Sequence, residues 1–107
     1  MANADRYTYR EEWSEEDNVY IARCLEFPSL LAHGDSPEAA LAELHSVVSV
    51  VVKDMEETGE SIPVPLGSKV YSGKLVLRLP KELHRGAAIR AAEEGVSLNQ
   101  YLISKLA

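Results

Sequence analysis

The sequence predicts an α+β fold: a small antiparallel sheet with one long helix, followed by a second unit made of one strand and two helices. Short β-prone runs fill the first third of the chain, and a long apolar pattern with helical spacing follows them. A proline-containing segment, SIPVPLGSK (residues 61–69), then separates this part from the rest, because prolines cannot sit in a central strand. The 107 residues are enough for one ordinary domain or two very small ones.

Three short strands are predicted before the long helix. The runs YTYREEW (residues 7–13) and VYIARCLEF (residues 19–27) are β-prone, and the polar turn SEEDN lies between them. Pro28 and Ser29 interrupt the pattern, and LLAHG (residues 30–34) supplies the third strand. Short connections of this kind join neighbouring antiparallel strands, so we expect a meander.

The clearest helix signal begins at Ser36. Its side chain can cap free backbone amides, Pro37 fits the first helical position, and Glu38 lies where the helix dipole favours negative charge. Gly59 is a typical helix stop. The run VVSVVV (residues 47–52) is β-branched and leaves a strand as the alternative, but cap, stop and spacing favour a helix. The residues that form its wide apolar face are Ala40, Leu41, Leu44, Val47, Val48, Val51 and Met55.

The charge of the chain divides into two parts of opposite sign. Residues 1–67 contain four Lys/Arg and fourteen Asp/Glu, a balance of −10, whereas residues 68–107 contain seven and three, a balance of +4. We therefore expect two domains with these bounds and with different partners. The acidic domain would repel nucleic acid and attract a basic protein, and the basic domain would do the reverse.

Composition disfavours several other classes of protein. No apolar run approaches the ~18 residues of a transmembrane helix, and the first residues lack the features of a secretory signal, so we expect a cytoplasmic protein. Cys24 is the only cysteine, which excludes an intrachain disulfide and a cysteine-based metal site. His33, His45 and His84 are not at ligand spacing, and we expect neither a metal nor another cofactor.

The segment GKLVLRLPKELH (residues 73–84) alternates apolar and polar residues and then turns at Pro80 into a helix that we expect to reach Glu94. A second helix is predicted from Ser97, its N-cap, to the end of the chain. The strand would carry Leu75, Leu77 and Leu79 on one face and Lys74, Val76 and Arg78 on the other.

A unit of about 35 residues seldom folds alone, and a single strand needs a partner for its backbone groups. Because disulfide and metal are excluded, we expect a symmetric dimer in which two copies of residues 74–79 pair as an antiparallel ribbon. The helices would bury the leucine face. The opposite face, with its cations, would be open, and a two-stranded ribbon fits the major groove of DNA.

The stretch KLVLRLPKELHRGAAIRAAEEGVSLNQYL (residues 74–102) resembles a ribbon–helix–helix DNA-binding domain of the Arc and MetJ type. Its matching elements are the alternating strand, the proline that opens the first helix, and GVSLNQYL as turn and second-helix start. The resemblance implies that operator DNA is a partner. The implied DNA contacts are Lys74, Val76 and Arg78 to bases and the amides around Ser97, Leu98 and Asn99 to a phosphate.

The first domain resembles the HicB antitoxin domain. The resemblance rests on the E-F-P turn at residues 26–28, on GDSPEA at residues 34–39 and on GESIPVP at residues 59–65. It implies a degenerate ribonuclease H-like fold, and candidate contacts with a partner protein at Glu26 and Phe27. HicB-like proteins neutralise a small HicA-like toxin that cleaves mRNA, and they repress their own operon.

The resemblances together imply the antitoxin of a type II toxin-antitoxin system, a transcription repressor that is a homodimer through its second domain or a tetramer. An orphan ribbon–helix–helix transcription factor, whose acidic domain senses a ligand or mediates assembly, is the alternative. A nuclease is a third reading, but ribonuclease H chemistry needs carboxylates that converge on divalent metal. The first strand offers Thr8, Tyr9 and Arg10 instead, so we expect no enzymatic activity.

Overall fold

A computed structural model describes residues 3–107 and divides the chain into two compact units, Met1–Tyr71 and Ser72–Ala107. The predicted boundary between residues 67 and 68 precedes this division by a few residues. The first unit contains a three-stranded sheet and one long helix, and the second contains two helices. The α+β prediction is therefore confirmed.

The sheet is an antiparallel meander in the order β1 (Tyr9–Ser14), β2 (Val19–Cys24) and β3 (Phe27–Gly34). This is the predicted arrangement. A tight turn joins β1 to β2, closed by a hydrogen bond of 2.7 Å that the amide of Asn18 donates to the carbonyl of Ser14. Asn18 has a φ of 54°, which asparagine adopts more readily than most residues.

The pairing of β2 with β3 changes register next to the turn that joins them. Cys24 lies opposite Phe27, but Arg23 lies opposite Leu31, so the residues 28–30 bulge out of the ladder. We expected Pro28 and Ser29 to interrupt the strand. They are instead part of β3, because a bulge accepts a proline that has no backbone amide to donate to the ladder.

The long helix α1 (Pro37–Thr58) begins and ends as predicted. The Ser36 hydroxyl accepts a hydrogen bond of 3.1 Å from the amide of Ala39, and Gly59 is in the left-handed conformation with φ 73°. Residues 47–52 are helical, which excludes the strand alternative. The buried positions of α1 recur every four residues and form the core with the inner face of the sheet: Ala40, Leu44, Val48 and Val52.

The second unit contains α2 (Lys81–Glu94) and α3 (Leu98–Leu106), and both lie close to their predicted bounds. The predicted strand at residues 74–79 is not formed: in this single chain the segment has no regular secondary structure. The physical reason is the absence of a strand to pair with, since an isolated strand leaves its amides and carbonyls unsatisfied. None of the helices within residues 3–107 combines the length and apolar character that a bilayer crossing requires.

Candidate functional site

The segment at residues 74–79 exposes most of its apolar side chains. Leu75 is 80% exposed, Val76 90% and Leu77 58%. Exposed apolar residues in such a short run are unusual for a monomeric surface and are typical of an interaction site. The single chain therefore has a segment whose leucines are available to a partner.

Two cations alternate with these apolar residues. Lys74 and Arg78 are both exposed, and neither side chain has an ion-pair partner among residues 3–107. The backbone near Lys74 is held locally, since its amide donates a hydrogen bond of 3.1 Å to the Ser72 hydroxyl. The predicted base-reading residues Lys74, Val76 and Arg78 thus lie together on one short, exposed stretch of chain.

The start of α3 is organised by a capping box. The amide of Gln100 donates to the Ser97 hydroxyl over 3.0 Å, and the amide of Ser97 donates to the Gln100 side chain over 3.1 Å. Of the amides predicted to hold a phosphate, that of Ser97 is therefore already used. Those of Leu98 and Asn99 occupy the first helical positions, where a helix leaves its amides without intrahelical acceptors.

Few residues are buried in the second unit. The structure describes all of its residues, and its buried core consists of Ala87, Ala91 and Tyr101, with Leu98 and Leu102 packed against them. Two alanines contribute little apolar area, so the burial of surface within this unit is small compared with that of an ordinary domain. Large apolar side chains of α2 and α3 that stay exposed include Leu83, Ile103 and Leu106.

In the first unit, Glu26 connects three parts of the chain. Its carboxylate accepts hydrogen bonds from the amide of Thr8 at 2.9 Å, the hydroxyl of Thr8 at 3.0 Å and the amide of Leu66 at 2.9 Å. Partial burial would raise the pKa of Glu26, but the amides of Leu66 and Thr8 outweigh it and hold the pKa below the ordinary value of 4.5. The carboxylate is therefore charged and already engaged within the fold.

Phe27, the other candidate partner contact, is part of the core. Its ring packs edge-on against Tyr7 with centroids 5.3 Å apart, and Phe27 is 9% exposed. Tyr7 in turn donates a hydrogen bond of 2.8 Å to the carbonyl of Pro63. The E-F-P turn thus ties the sheet to the proline-containing segment, and this arrangement leaves little of Phe27 available to a partner.

The residues considered for chemistry lie apart from one another. Among residues 3–107, no three His, Cys, Asp or Glu side chains are grouped so that they could hold a metal ion. Cys24 is buried, and burial raises the pKa of its thiol. His45 contacts Asp5, His33 is exposed on β3, and His84 is exposed on α2.

Residues 57–106 match the HicB family. The matched stretch begins in the last turn of α1, includes the exposed segment at residues 74–79, and ends with α3. The match covers just under half of the chain. Neither the curated proteins nor the solved structures gave a match.

The HicB match includes only one of the three sequence elements on which the resemblance of the first unit rests. GESIPVP at residues 59–65 lies inside the matched stretch, whereas the turn at residues 26–28 and the helix start at residues 34–39 lie outside it. The family match therefore bears mainly on the second unit and on the segment that precedes it.

Two exposed apolar residues of the first unit were not predicted from the sequence. Leu31 on β3 is 46% exposed and Val50 on α1 is 69% exposed. Val50 belongs to the VVSVVV run. Its angular position on the helix lies away from the buried stripe, and this position could have predicted its exposure.

Proposed function

We propose that this protein is the antitoxin of a type II toxin-antitoxin system. The first unit binds and neutralises a HicA-like, mRNA-cleaving toxin, and the second unit dimerises as a ribbon–helix–helix domain and represses its own operon. The observation that carries the proposal is the exposed, alternating segment at residues 74–79, which lies within the stretch that matches the HicB family.

The small core of the second unit supports dimerisation. Pairing two copies of residues 74–79 would satisfy their backbone groups and would place Leu75 and Leu77 beneath the helices of both chains. The proposed ribbon then presents Lys74, Val76 and Arg78 to the major groove. There an arginine can bond guanine through two hydrogen bonds and a valine can contact only apolar groups such as a thymine methyl.

The opposite net charges of the two parts of the chain support the proposal that the two units bind different partners. A balance of −10 in residues 1–67 suits a basic protein that handles RNA, and it would keep this part of the chain away from DNA. We propose that the β1-β2-β3-α1 arrangement is a degenerate ribonuclease H-like fold without nuclease activity. A cytoplasmic location follows from the proposed partners, mRNA-cleaving toxin and operator DNA.

The test begins with a search beside this gene for an open reading frame that encodes a small basic protein, and continues with co-expression of that protein and this chain. We expect that protein to arrest growth when it is expressed alone and the full chain to restore growth. The Val76→Asp variant should restore growth equally well, because its substitution lies in the DNA-binding unit, and it should fail to repress the operon promoter. Growth arrest that the full chain does not relieve would contradict the antitoxin proposal.

The second candidate is an orphan ribbon–helix–helix transcription factor with a ligand-sensing unit. A cleft in the first unit favours it. An open cleft of about 530 Å³ lies between the residues 3–6 and one flank of α1, and His45, Ser49 and Lys53 line it. Repression of the promoter by a chain that neutralises no neighbouring protein would favour this candidate.

A further inference from the structure

The outer edge of β3 is open, and the strand has no acidic, lysine or arginine side chain. β3 pairs with β2 along one edge, and no strand within residues 3–107 pairs with its other edge. An open edge is a template for a further strand, and proteins usually protect it with charged side chains. The open edge of β1 has such protection in Arg10, Glu11 and Glu12, whereas β3, with the sequence FPSLLAHG, contains no Asp, Glu, Lys or Arg.

Of the three strands, the long helix packs most closely against the one that has this open edge. α1 packs mainly against β3 and less against β1, so it lies towards the β3 side. An open cleft of about 580 Å³ runs between β3 and α1, and Leu31, Glu43 and Val47 are among the residues that line it. Val50 is one turn further along the same flank of the helix. A fourth strand beside β3 would therefore lie near a helix flank that carries both apolar and acidic side chains.

The rim of this cleft is acidic. Asp35 and Glu43 line it, and neither carboxylate has an ion-pair partner among residues 3–107. An incoming strand with basic side chains would pair with both, whereas a second copy of this unit would bring the same two carboxylates and a further charge of −10. The charge therefore favours a basic partner over self-association at this edge.

We propose that the outer edge of β3 accepts a β-strand of a basic partner protein by strand addition. Backbone hydrogen bonds to β3 would hold the strand, its apolar side chains would pack on Val47 and Val50, and its Lys or Arg side chains would pair with Asp35 and Glu43. This inference rests on the proposed function, since it names the surface through which the basic toxin is held.

The first test is a titration of the isotope-labelled full chain with a heptapeptide of alternating lysine and valine, monitored by the backbone amide signals. The control peptide has the same charge and a proline in place of its central valine, so it cannot complete the strand pairing. We expect the shifts to concentrate at residues 31–34 and the control to bind at least tenfold more weakly. Equal binding of the two peptides, or shifts centred on β1, would overturn the proposal.

Two matched variants distinguish binding at the cleft between β3 and α1 from general electrostatic attraction. Val50→Asp replaces an apolar side chain of this helix flank with a charge and should weaken binding of the lysine–valine peptide at least fivefold, although it adds a favourable negative charge. Ala42→Asp adds the same charge at another exposed position of α1, outside the cleft, and should not weaken binding. Equal effects of the two variants on peptide affinity would contradict binding at the cleft. If the protection of the β3 amides increases with protein concentration when no peptide is present, the edge binds a second copy of the chain instead.

Toxin neutralisation distinguishes failure of this inference from failure of the proposed function. We expect Val50→Asp to lose growth rescue and Ala42→Asp to keep it. Rescue by both variants would remove the β3 edge as the toxin site and leave the antitoxin proposal intact. Peptide binding at β3 in a chain that rescues no growth arrest would leave the edge site and remove the antitoxin proposal.

Discussion

Glu26 shows how one side chain can join distant parts of a small unit. The residue sits in the two-residue turn between β2 and β3, and its carboxylate reaches Thr8 before β1 and Leu66 after α1. Hydrogen bonds to a charged acceptor are worth more than those to a neutral one. Glu26 is therefore explained by the fold itself, and its role as a partner contact stays a prediction.

Replacing Glu26 by glutamine should reduce the free energy of unfolding by about 1.5–3 kcal/mol at pH 7, because charged hydrogen bonds are lost. The folded-state pKa lies below the ordinary 4.5, so this stabilisation is complete above pH 4.5 and disappears as the pH falls through the folded-state pKa. Urea unfolding should show that the difference in free energy of unfolding between the wild type and this variant is smaller at pH 3 than at pH 7.

Glu12→Gln is the matched control for this prediction. Glu12 forms an exposed ion pair of 3.4 Å with Arg23, and exposed pairs contribute less than about 1 kcal/mol. Equal losses of stability in the two variants at pH 7 would contradict the role assigned to Glu26.

At the scale of elements, the close approach of β3 to α1 depends on a glycine. A Cβ at Gly34 would lie 2.7 Å from the backbone nitrogen of Ala40 and 3.0 Å from the carbonyl carbon of Ala39. These are backbone atoms at the start of α1, so they cannot move without shifting the helix. The packing of strand on helix thus sets which residue is tolerated at this position.

Gly34→Ala should therefore lower the free energy of unfolding by about 1–3 kcal/mol, the usual cost of overpacking. Gly67→Ala is the control, because nothing lies within 4 Å of a Cβ at that position, and we expect a change within about 0.5 kcal/mol. Thermal or urea unfolding of both variants provides the measurement. A Gly34→Ala protein as stable as Gly67→Ala would show that α1 can shift without cost.

Local signals in the sequence predicted most of the elements. The cap at Ser36, the stop at Gly59 and the apolar spacing between them were sufficient for α1, since each depends only on neighbouring residues. The bulge at residues 28–30 was not predicted, because a change of register depends on how two strands pair. The predicted strand at residues 74–79 is absent from the single chain, and in our proposal it forms only when a second chain pairs with it.

The same distinction applies to the candidate sites. Alternation within residues 74–79 was visible in the sequence, and it placed Lys74, Val76 and Arg78 on one exposed stretch. The flank of α1 that contains Val50 was not predicted as a surface, because its exposure depends on where the helix packs against the sheet. A surface between elements is defined by packing and not by a local pattern.

For the whole molecule, the proposed dimer makes opposite predictions for two adjacent residues. Leu77→Asp would place a charge in the buried face of the ribbon and should convert the dimer to an 11.8 kDa monomer. Val76→Asp lies on the open face, so it should leave the dimer intact and abolish DNA binding by repelling phosphates. Sedimentation and DNA binding of both variants distinguish these roles. Dimers in both variants would contradict the ribbon interface.

The measurement that tests the central claim most directly is binding of the full chain to DNA from upstream of its own gene, across a salt series. We expect specific binding that weakens with salt, and a loss of about 1–3 kcal/mol in Arg78→Ala, as for a good base contact. Arg90→Ala, an exposed arginine of α2, is the control and should bind like the wild type. Binding that does not distinguish this DNA from a scrambled sequence, or equal losses in both variants, would contradict the account.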